Sequence, residues 1–327
     1  MIMRIGIYGA GQMGSTHLRA FAAIDDVTVA GVADADEQRA KAAAQTVRAV
    51  PCLDLDSLLA LGLDAVVIAV PNVFHARSTM TALEWGVHVF CEKPMATTLE
   101  DARRVLQTVE RTGRVYQIGF NRRFAPAYAG MRALLAEGVT IFSGTIKMND
   151  GDMRTPSWFT DPTVSGGFMY DTGIHLFDMA RWQLGPIREA HCLARSSCYP
   201  DRDDAVVLLR FVSGAIVSYS TCGHATWTAP TERIELFGDH QAIVTEGFER
   251  LTHTPGLGQP AVTRDFSALP TPDRLGYTQE ARAFVEAITR GHAPKVTAED
   301  AYCAIELVDA CYRSAASGGA PVRLPEK

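Results

Sequence analysis

With 327 residues, 47% of them hydrophobic, the chain can fill two ordinary domains with sizeable cores, which excludes an intrinsically disordered protein. Its net charge of −6 is spread out, and no run of lysine or arginine exceeds a pair such as Arg122-Arg123, so nothing resembles a footprint for a nucleic-acid backbone. Seven cysteines without a Cys-x-x-Cys pair argue against both a disulfide framework and a structural zinc site, and no apolar stretch approaches the ~20 residues of a membrane span.

Met1 to Ile7 is apolar but short and runs straight into a glycine motif, so it reads as a first strand and not as a signal peptide; a soluble cytoplasmic protein is expected. Strand and helix patterns then alternate: a strand at 4–8, a helix at 12–24, a strand at 27–33, a helix at 37–46 and a short helix at 54–61. Asp64 to Val70 is a near-continuous β-branched run, as in a strand buried on both faces. A helix at 74–85, a strand at 87–91, a helix at 99–112 and a strand at 115–119 complete the series. This predicts a parallel Rossmann sheet over residues 1–120.

After Gly119 the pattern changes. A helix covers 125–136, and strand-like segments follow at 141–147, 188–195, 205–211, 215–222, 232–237 and 241–245. Most have no helix between them, which predicts a C-terminal α+β domain over 121–327 with a large, open, mainly antiparallel sheet. One long helix, 169–184, interrupts the strands, Pro255 to Pro260 marks a loop, and helices at 277–290 and 298–314 close the chain. The fold class is therefore α/β.

Gly9-Ala10-Gly11-Gln12-Met13-Gly14 is a G-x-G-x-x-G with a strand before it and an amphipathic helix after it, the context in which the pattern binds a dinucleotide. Gly9 permits the tight turn, Gly11 lets backbone approach a pyrophosphate at the helix N-terminus, and Gly14 permits close helix–strand packing. Asp34 ends the second strand twenty residues past Gly14. A carboxylate there accepts hydrogen bonds from the adenosine ribose and repels a 2′-phosphate, so NAD is favoured over NADP, with Arg39 close by as the one opposing feature. Val70-Pro71-Asn72 follows a strand at its carboxyl end, the edge that faces ligand in an open α/β sheet; His75 lies three residues on. Cys91-Glu92-Lys93-Pro94 sits at the same kind of position, where a lysine either reaches a nicotinamide or a substrate hydroxyl or simply stands at the surface of a strand end.

The second chemistry-bearing segment is Gly166 to Asp178. If helical, it sets Asp171 and His175 on one face with Asp178 three residues further, a carboxylate–histidine–carboxylate stripe among Ile174, Phe177 and Ala180. Histidine is the natural proton acceptor near neutral pH, and a carboxylate orients it. The competing reading is a satisfied buried polar network. Asp171, His175 and Asp178 could hold a metal by count, but no second imidazole or thiolate stands at ligand spacing, so no metal is expected. No G-x-S-x-G nucleophile motif is present.

These segments together, with Gly119-Phe120-Asn121-Arg122-Arg123-Phe124 and Arg233 to Gly238, resemble the Gfo/Idh/MocA oxidoreductases, named for glucose–fructose oxidoreductase and inositol dehydrogenase. The resemblance covers nearly the whole chain. It implies a two-domain NAD-binding enzyme whose open sheet makes homodimer or homotetramer contacts, and a catalytic group of Lys93, Asp171 and His175. His175 would take the hydroxyl proton as hydride leaves the adjacent carbon, Lys93 would hold that oxygen and contact the nicotinamide ribose, and Asp171 would position His175. Gly9, Gly11, Gln12, Met13, Gly14, Asp34, Pro71, Asn72, His75, Glu92 and Lys93 would hold the cofactor. Arg122, Asn149, Asp150 and Trp158 are candidates for the substrate pocket.

Two departures bear on the substrate. The inositol dehydrogenase branch tends to show Ile-His-Asp-Phe-Asp where this chain has Ile174-His175-Leu176-Phe177-Asp178, and many relatives carry Trp-Arg where this chain has Trp158-Phe159. Polyols, cyclitols and sugars are all expected substrates, and neither nucleic acid nor membrane is an expected partner. A redox-neutral NAD-dependent glycoside hydrolase and a non-catalytic cofactor sensor are the alternatives.

Overall fold

Strands that are apolar on both faces need helices on each side, and the first part of the chain folds that way in the computed structural model, which describes residues 2–326. Six parallel strands, β1 (Met3–Tyr8), β2 (Val27–Ala33), β3 (Val50–Cys52), β4 (Ala65–Ile68), β5 (His88–Glu92) and β6 (Tyr116–Gly119), form one sheet in the order β3-β2-β1-β4-β5-β6. Helices α1 (Gln12–Ala22), α2 (Glu37–Val47), α3 (Leu55–Leu59), α4 (His75–Glu84) and α5 (Leu99–Thr112) connect them. Local chemistry fixes several helix starts: Asp36 accepts the amides of Gln38 and Arg39, and Thr98 accepts that of Asp101. The strand order reverses between β1 and β4, the switch point at whose carboxyl edge such sheets bind ligand.

Contacts divide the chain into two units. The first runs through Asn121 and takes back Tyr277–Tyr302; the second is Arg122–Gly276 with the residues from Cys303 onward. The sequence reading places one boundary, after residue 120. The helix Tyr277–Arg290 joins the first unit because its apolar face, Ala281, Phe284 and Val285, completes the core formed by Ile5, Ile7, Phe21 and Phe90. Phe21, Phe90 and Phe284 meet edge to face at 5.7–6.1 Å. Periodicity reveals such a face but not what it packs against.

In the second unit nine strands, β7 (Ile141–Asn149), β8 (Ile187–Arg195), β9 (Asp204–Phe211), β10 (Ile216–Cys222), β11 (Glu232–Gly238), β12 (Ala242–Glu246), β13 (Arg250–Thr254), β14 (Val262–Asp265) and β15 (Val322–Arg323), form a sheet in the order β14-β13-β12-β11-β7-β10-β9-β8-β15. Among the described residues of this sheet only β7 and β10 pair parallel. Strand β9 shows the alternation: Ala205, Val207, Leu209 and Phe211 are buried, whereas Val206 and Leu208 are exposed on the other face with Leu193, Ile216 and Phe237. Helices α6 (Pro126–Ala136), α7 (Pro162–Ser165) and α8 (Ile174–Leu184) precede or interrupt these strands. The helix expected over 169–184 is a π-turn, Met169–Gly173, that continues into α8. Among the described residues no helix is long and apolar enough to cross a membrane.

Candidate active site

In the first unit the glycine loop closes the β1–α1 turn. Gly9 takes φ +97°, and a Cβ on it would lie 2.3 Å from Ala69 O; a Cβ on Gly14 would lie 1.7 Å from Gly9 O. Both glycines are therefore fixed by the fold. Gly11 differs, since a Cβ there would meet nothing within 4 Å. It is also the N-cap of α1, and no side chain caps this end. The space above Gly11 and the uncapped amides of the first turn fit a dinucleotide pyrophosphate. Gln12 is exposed and Met13 half-buried on that turn.

Asp34 stands at the end of β2. Its Oδ2 accepts the amide N–H of Ala10 at 2.8 Å and its Oδ1 that of Asp36 at 2.9 Å. Arg39 Nη1 is 3.7 Å from Asp34, on a side chain 53% exposed. The acid therefore fastens the second strand to the glycine turn at the place where an adenosine ribose would lie.

Pro71 and the buried Asn72 follow β4, where Pro71 caps a single turn of 3-10 helix, Asn72–Phe74. His75 is 1% exposed, with Nδ1 2.7 Å from Pro94 O and Nε2 2.7 Å from Val70 O. Burial pushes its imidazole below the usual range, against the pull of the two carbonyls. His75 thus braces the Val70-Pro71 turn against the Lys93-Pro94 turn and does not present its ring outward. Glu92 is also buried, paired with His17, and Lys93 is half-buried beside it. Sequence reading passes over His17 and over Glu280, a fully buried carboxyl on the helix Tyr277–Arg290. Their signal is an ionisable residue on an otherwise apolar helix face.

In the second unit the π-turn carries Asp171, 5% exposed, whose amide donates to Gly167 O at 3.0 Å. π-turns are uncommon and concentrate at functional sites. Thr172 Oγ1 donates to Asp150 Oδ2 at 3.3 Å. Burial pushes the Asp150 carboxyl up, and the charge of Asp171 adds to this against the amides of Gly151 and Asp152. His175 is half-buried in the first turn of α8. Asp150, Asp171 and Thr172 are thus one polar group, and Asn149 adjoins it at the end of β7.

Asp178 lies elsewhere. It accepts Arg123 Nε at 2.9 Å and Nη2 at 2.5 Å in a buried ion pair, so the stripe read along the helix ends at His175. Arg122 is 8% exposed and pairs through its guanidinium with Glu232, which also accepts Tyr128 Oη at 2.7 Å. Trp158 sits on a single 3-10 turn, Ser157–Thr160, its ring 4.4 Å from that of Phe159. A further set of metal-type donors, Cys198, Asp203, Asp204, Cys222 and His224, converges in overlapping threes within 4.8 Å. Hydrogen bonds already account for its carboxylates: Asp203 accepts the amides of Ser197 and Cys198, and Asp204 pairs with His224 at 2.9 Å.

Residues 3–120 match the oxidoreductase family with an NAD-binding Rossmann fold named for Gfo, Idh and MocA, and residues 138–324 match the α/β C-terminal domain of the same family. Inositol 2-dehydrogenase 2 of Saccharopolyspora erythraea is 34% identical over 99% of this chain and 96% of its own length. The structure of a myo-inositol dehydrogenase from Corynebacterium glutamicum superposes with a TM-score of 0.85 at 26% identity, covering 100% of both chains. That of a levoglucosan dehydrogenase with NADH and levoglucosan superposes at 0.92 over 99% of both, but at 24% identity it speaks for the fold alone. The chain belongs to the Gfo/Idh/MocA oxidoreductase family, whose N-terminal domain binds NAD.

Proposed function

We infer that this chain is an NAD-dependent dehydrogenase acting on a secondary hydroxyl of a polyol, cyclitol or sugar. The observation that carries the reading is the open space over Gly11 beside an uncapped helix end, with Asp34 fastened to the same turn. Gly9, Gly11, Gln12, Met13, Gly14, Asp34, Pro71, Asn72 and Lys93 hold the cofactor, while His75 and Glu92 brace the turns that carry it. NAD held there would supply the hydride acceptor, and NADH the donor in the reverse direction. His175 accepts the substrate hydroxyl proton, Asp171 orients His175, and Lys93 holds the oxygen whose carbon is oxidised. The half-buried Asp150, bonded to Thr172, and the buried Asp171 beside it suit a substrate with several hydroxyls, since a carboxylate accepts each O–H in a charge-assisted bond. The inositol 2-dehydrogenases among the relatives favour a cyclitol within that class.

The exposed apolar face of the nine-stranded sheet, with Leu193, Val206, Leu208, Ile216 and Phe237, suits a second copy of the chain in a cytoplasmic homodimer or homotetramer. The test of function is NADH formation from NAD⁺ across a panel of cyclitols, aldoses, sugar acids and glycosides, with the wild type and His175→Asn. Turnover of a polyol that falls about 10²–10⁴-fold in His175→Asn at unchanged NAD⁺ affinity supports the assignment. Glycoside cleavage that needs NAD⁺ but accumulates no NADH replaces it with redox-neutral hydrolysis. NAD⁺ binding without turnover of any panel member replaces it with a sensor.

A further inference from the structure

The first unit buries a carboxylate–imidazole pair to which the proposed chemistry assigns no part beyond bracing a turn. Glu92 closes β5. Its Oε1 lies 2.5 Å from His17 Nε2, and its Oε2 accepts the amide N–H of Lys93 at 3.2 Å. His17 is fully buried on α1, the helix that opens on the glycine turn, with its ring against Phe90 and Tyr277. The β5–β6 register sets Glu92 opposite Gly119, where a Cβ would crowd the carboxylate at 3.2–3.3 Å. A buried carboxylate–imidazole pair is a poor stabiliser compared with an apolar pair of the same volume. Its presence in an aromatic surround calls for a reason other than stability.

We propose that Glu92, clamped by His17, is the positioning residue for Lys93: the pair ties the helix behind the glycine turn to the lysine turn and fixes the backbone from which the Lys93 ammonium acts. The inference rests on the reading of Lys93 as the group that holds the reacting oxygen.

The groups facing Glu92 decide which of them carries charge. They are His17 from α1, His75 from α4, Cys91 and Lys93 from its own strand and turn, and Glu280 from the helix Tyr277–Arg290. Burial pushes the Glu92 carboxyl up, but the bond and charge of His17, with Lys93 and His75, hold it below its usual range. Glu280 is 0% exposed and neither of its oxygens has a hydrogen-bond partner; burial and the charge of Glu92 push it well above the usual range. Two carboxyls in one buried site do not both ionise. Glu92 is the anion at neutral pH and Glu280 the neutral acid.

The test compares full-length wild type, Glu92→Gln, Glu92→Asp and Lys93→Met. It reads NAD⁺ Kd by fluorescence titration, kcat and KM for the best polyol, and thermal melting. In Glu92→Gln, kcat is expected to fall about tenfold or more, with NAD⁺ Kd and KM within about threefold of wild type. Glu92→Asp keeps the carboxylate on a shorter arm and should recover part of kcat. A wild-type kcat in Glu92→Gln, or an aspartate variant indistinguishable from the glutamine one, overturns the inference. Should Glu92→Gln fail to fold, Glu92→Asp decides: reduced kcat at unchanged NAD⁺ Kd supports positioning, and wild-type kcat overturns it. An active Lys93→Met removes the reading of the lysine itself, whereas an inactive Lys93→Met beside an unaffected Glu92→Gln overturns the positioning alone.

Discussion

The carboxylate of Asp34 accepts the amide N–H of Ala10 at 2.8 Å, so the residue proposed to discriminate between cofactors also shapes the glycine turn. Arg39 waits 3.7 Å away on an exposed side chain. Replacing Asp34 by Ser removes the charge that repels a 2′-phosphate and leaves Arg39 to meet one. NAD⁺ Kd should rise about tenfold, the scale of one charge-assisted hydrogen bond of ~1.5 kcal/mol, while NADP⁺ Kd falls. Fluorescence titration with both cofactors checks this; an unchanged ratio would remove Asp34 from cofactor choice.

The glycines of the turn separate packing from binding. A methyl on Gly14 would lie 1.7 Å from Gly9 O, so Gly14→Ala must displace helix from strand; it should cost about 1–3 kcal/mol and weaken NAD⁺ binding with it. A methyl on Gly11 meets nothing within 4 Å. Gly11→Ala should melt with the wild type, within about 0.5 kcal/mol, yet bind NAD⁺ more weakly, because the added carbon occupies the approach to the pyrophosphate. Calorimetric melting together with NAD⁺ titration distinguishes the two; a Gly11→Ala that binds normally puts the pyrophosphate elsewhere.

Glu280 gives stability a pH dependence. Burial, and then the charge of Glu92, pushes its carboxyl well above the usual range. Above the unfolded value of about 4.3 the unfolded chain releases this proton while the folded chain keeps it, so stability falls as pH rises until the folded group itself ionises. Glu280→Gln cannot titrate and escapes this loss. Its Tm relative to wild type should therefore climb steadily from about pH 5 to about pH 8. A difference that stays constant over that interval means the carboxyl is not held protonated.

Asp178 and Arg123 predict a defect of stability rather than chemistry. Asp178→Ala leaves a buried guanidinium without its carboxylate, at a cost of about 3–5 kcal/mol. In a chain of this size that is a fall in Tm of roughly 10 °C. Activity per folded molecule, assayed well below the new Tm, should remain close to wild type. A loss of kcat at full stability would instead add Asp178 to the catalytic group.

What the sequence by itself determined is whatever neighbouring residues settle among themselves. The Gly9–Gly14 turn, Asp34 at the end of its strand and the four-residue spacing of Asp171 and His175 are readable because turn and helix geometry is decided within a few residues. The βαβ alternation is readable because doubly buried strands leave long apolar runs. Strands β3, β13, β14 and β15 escape, being short and lacking a clear apolar alternation; β14 is exposed throughout. Tertiary structure alone decided the partners of the buried charges. His17 finds Glu92 75 residues away, Arg123 finds Asp178 at 55 and Arg122 finds Glu232 at 110. It also sent the helix Tyr277–Arg290 back to the first unit. A residue's own sequence environment shows that a charge or an apolar face must be matched on burial, but chain topology determines which distant group arrives to match it.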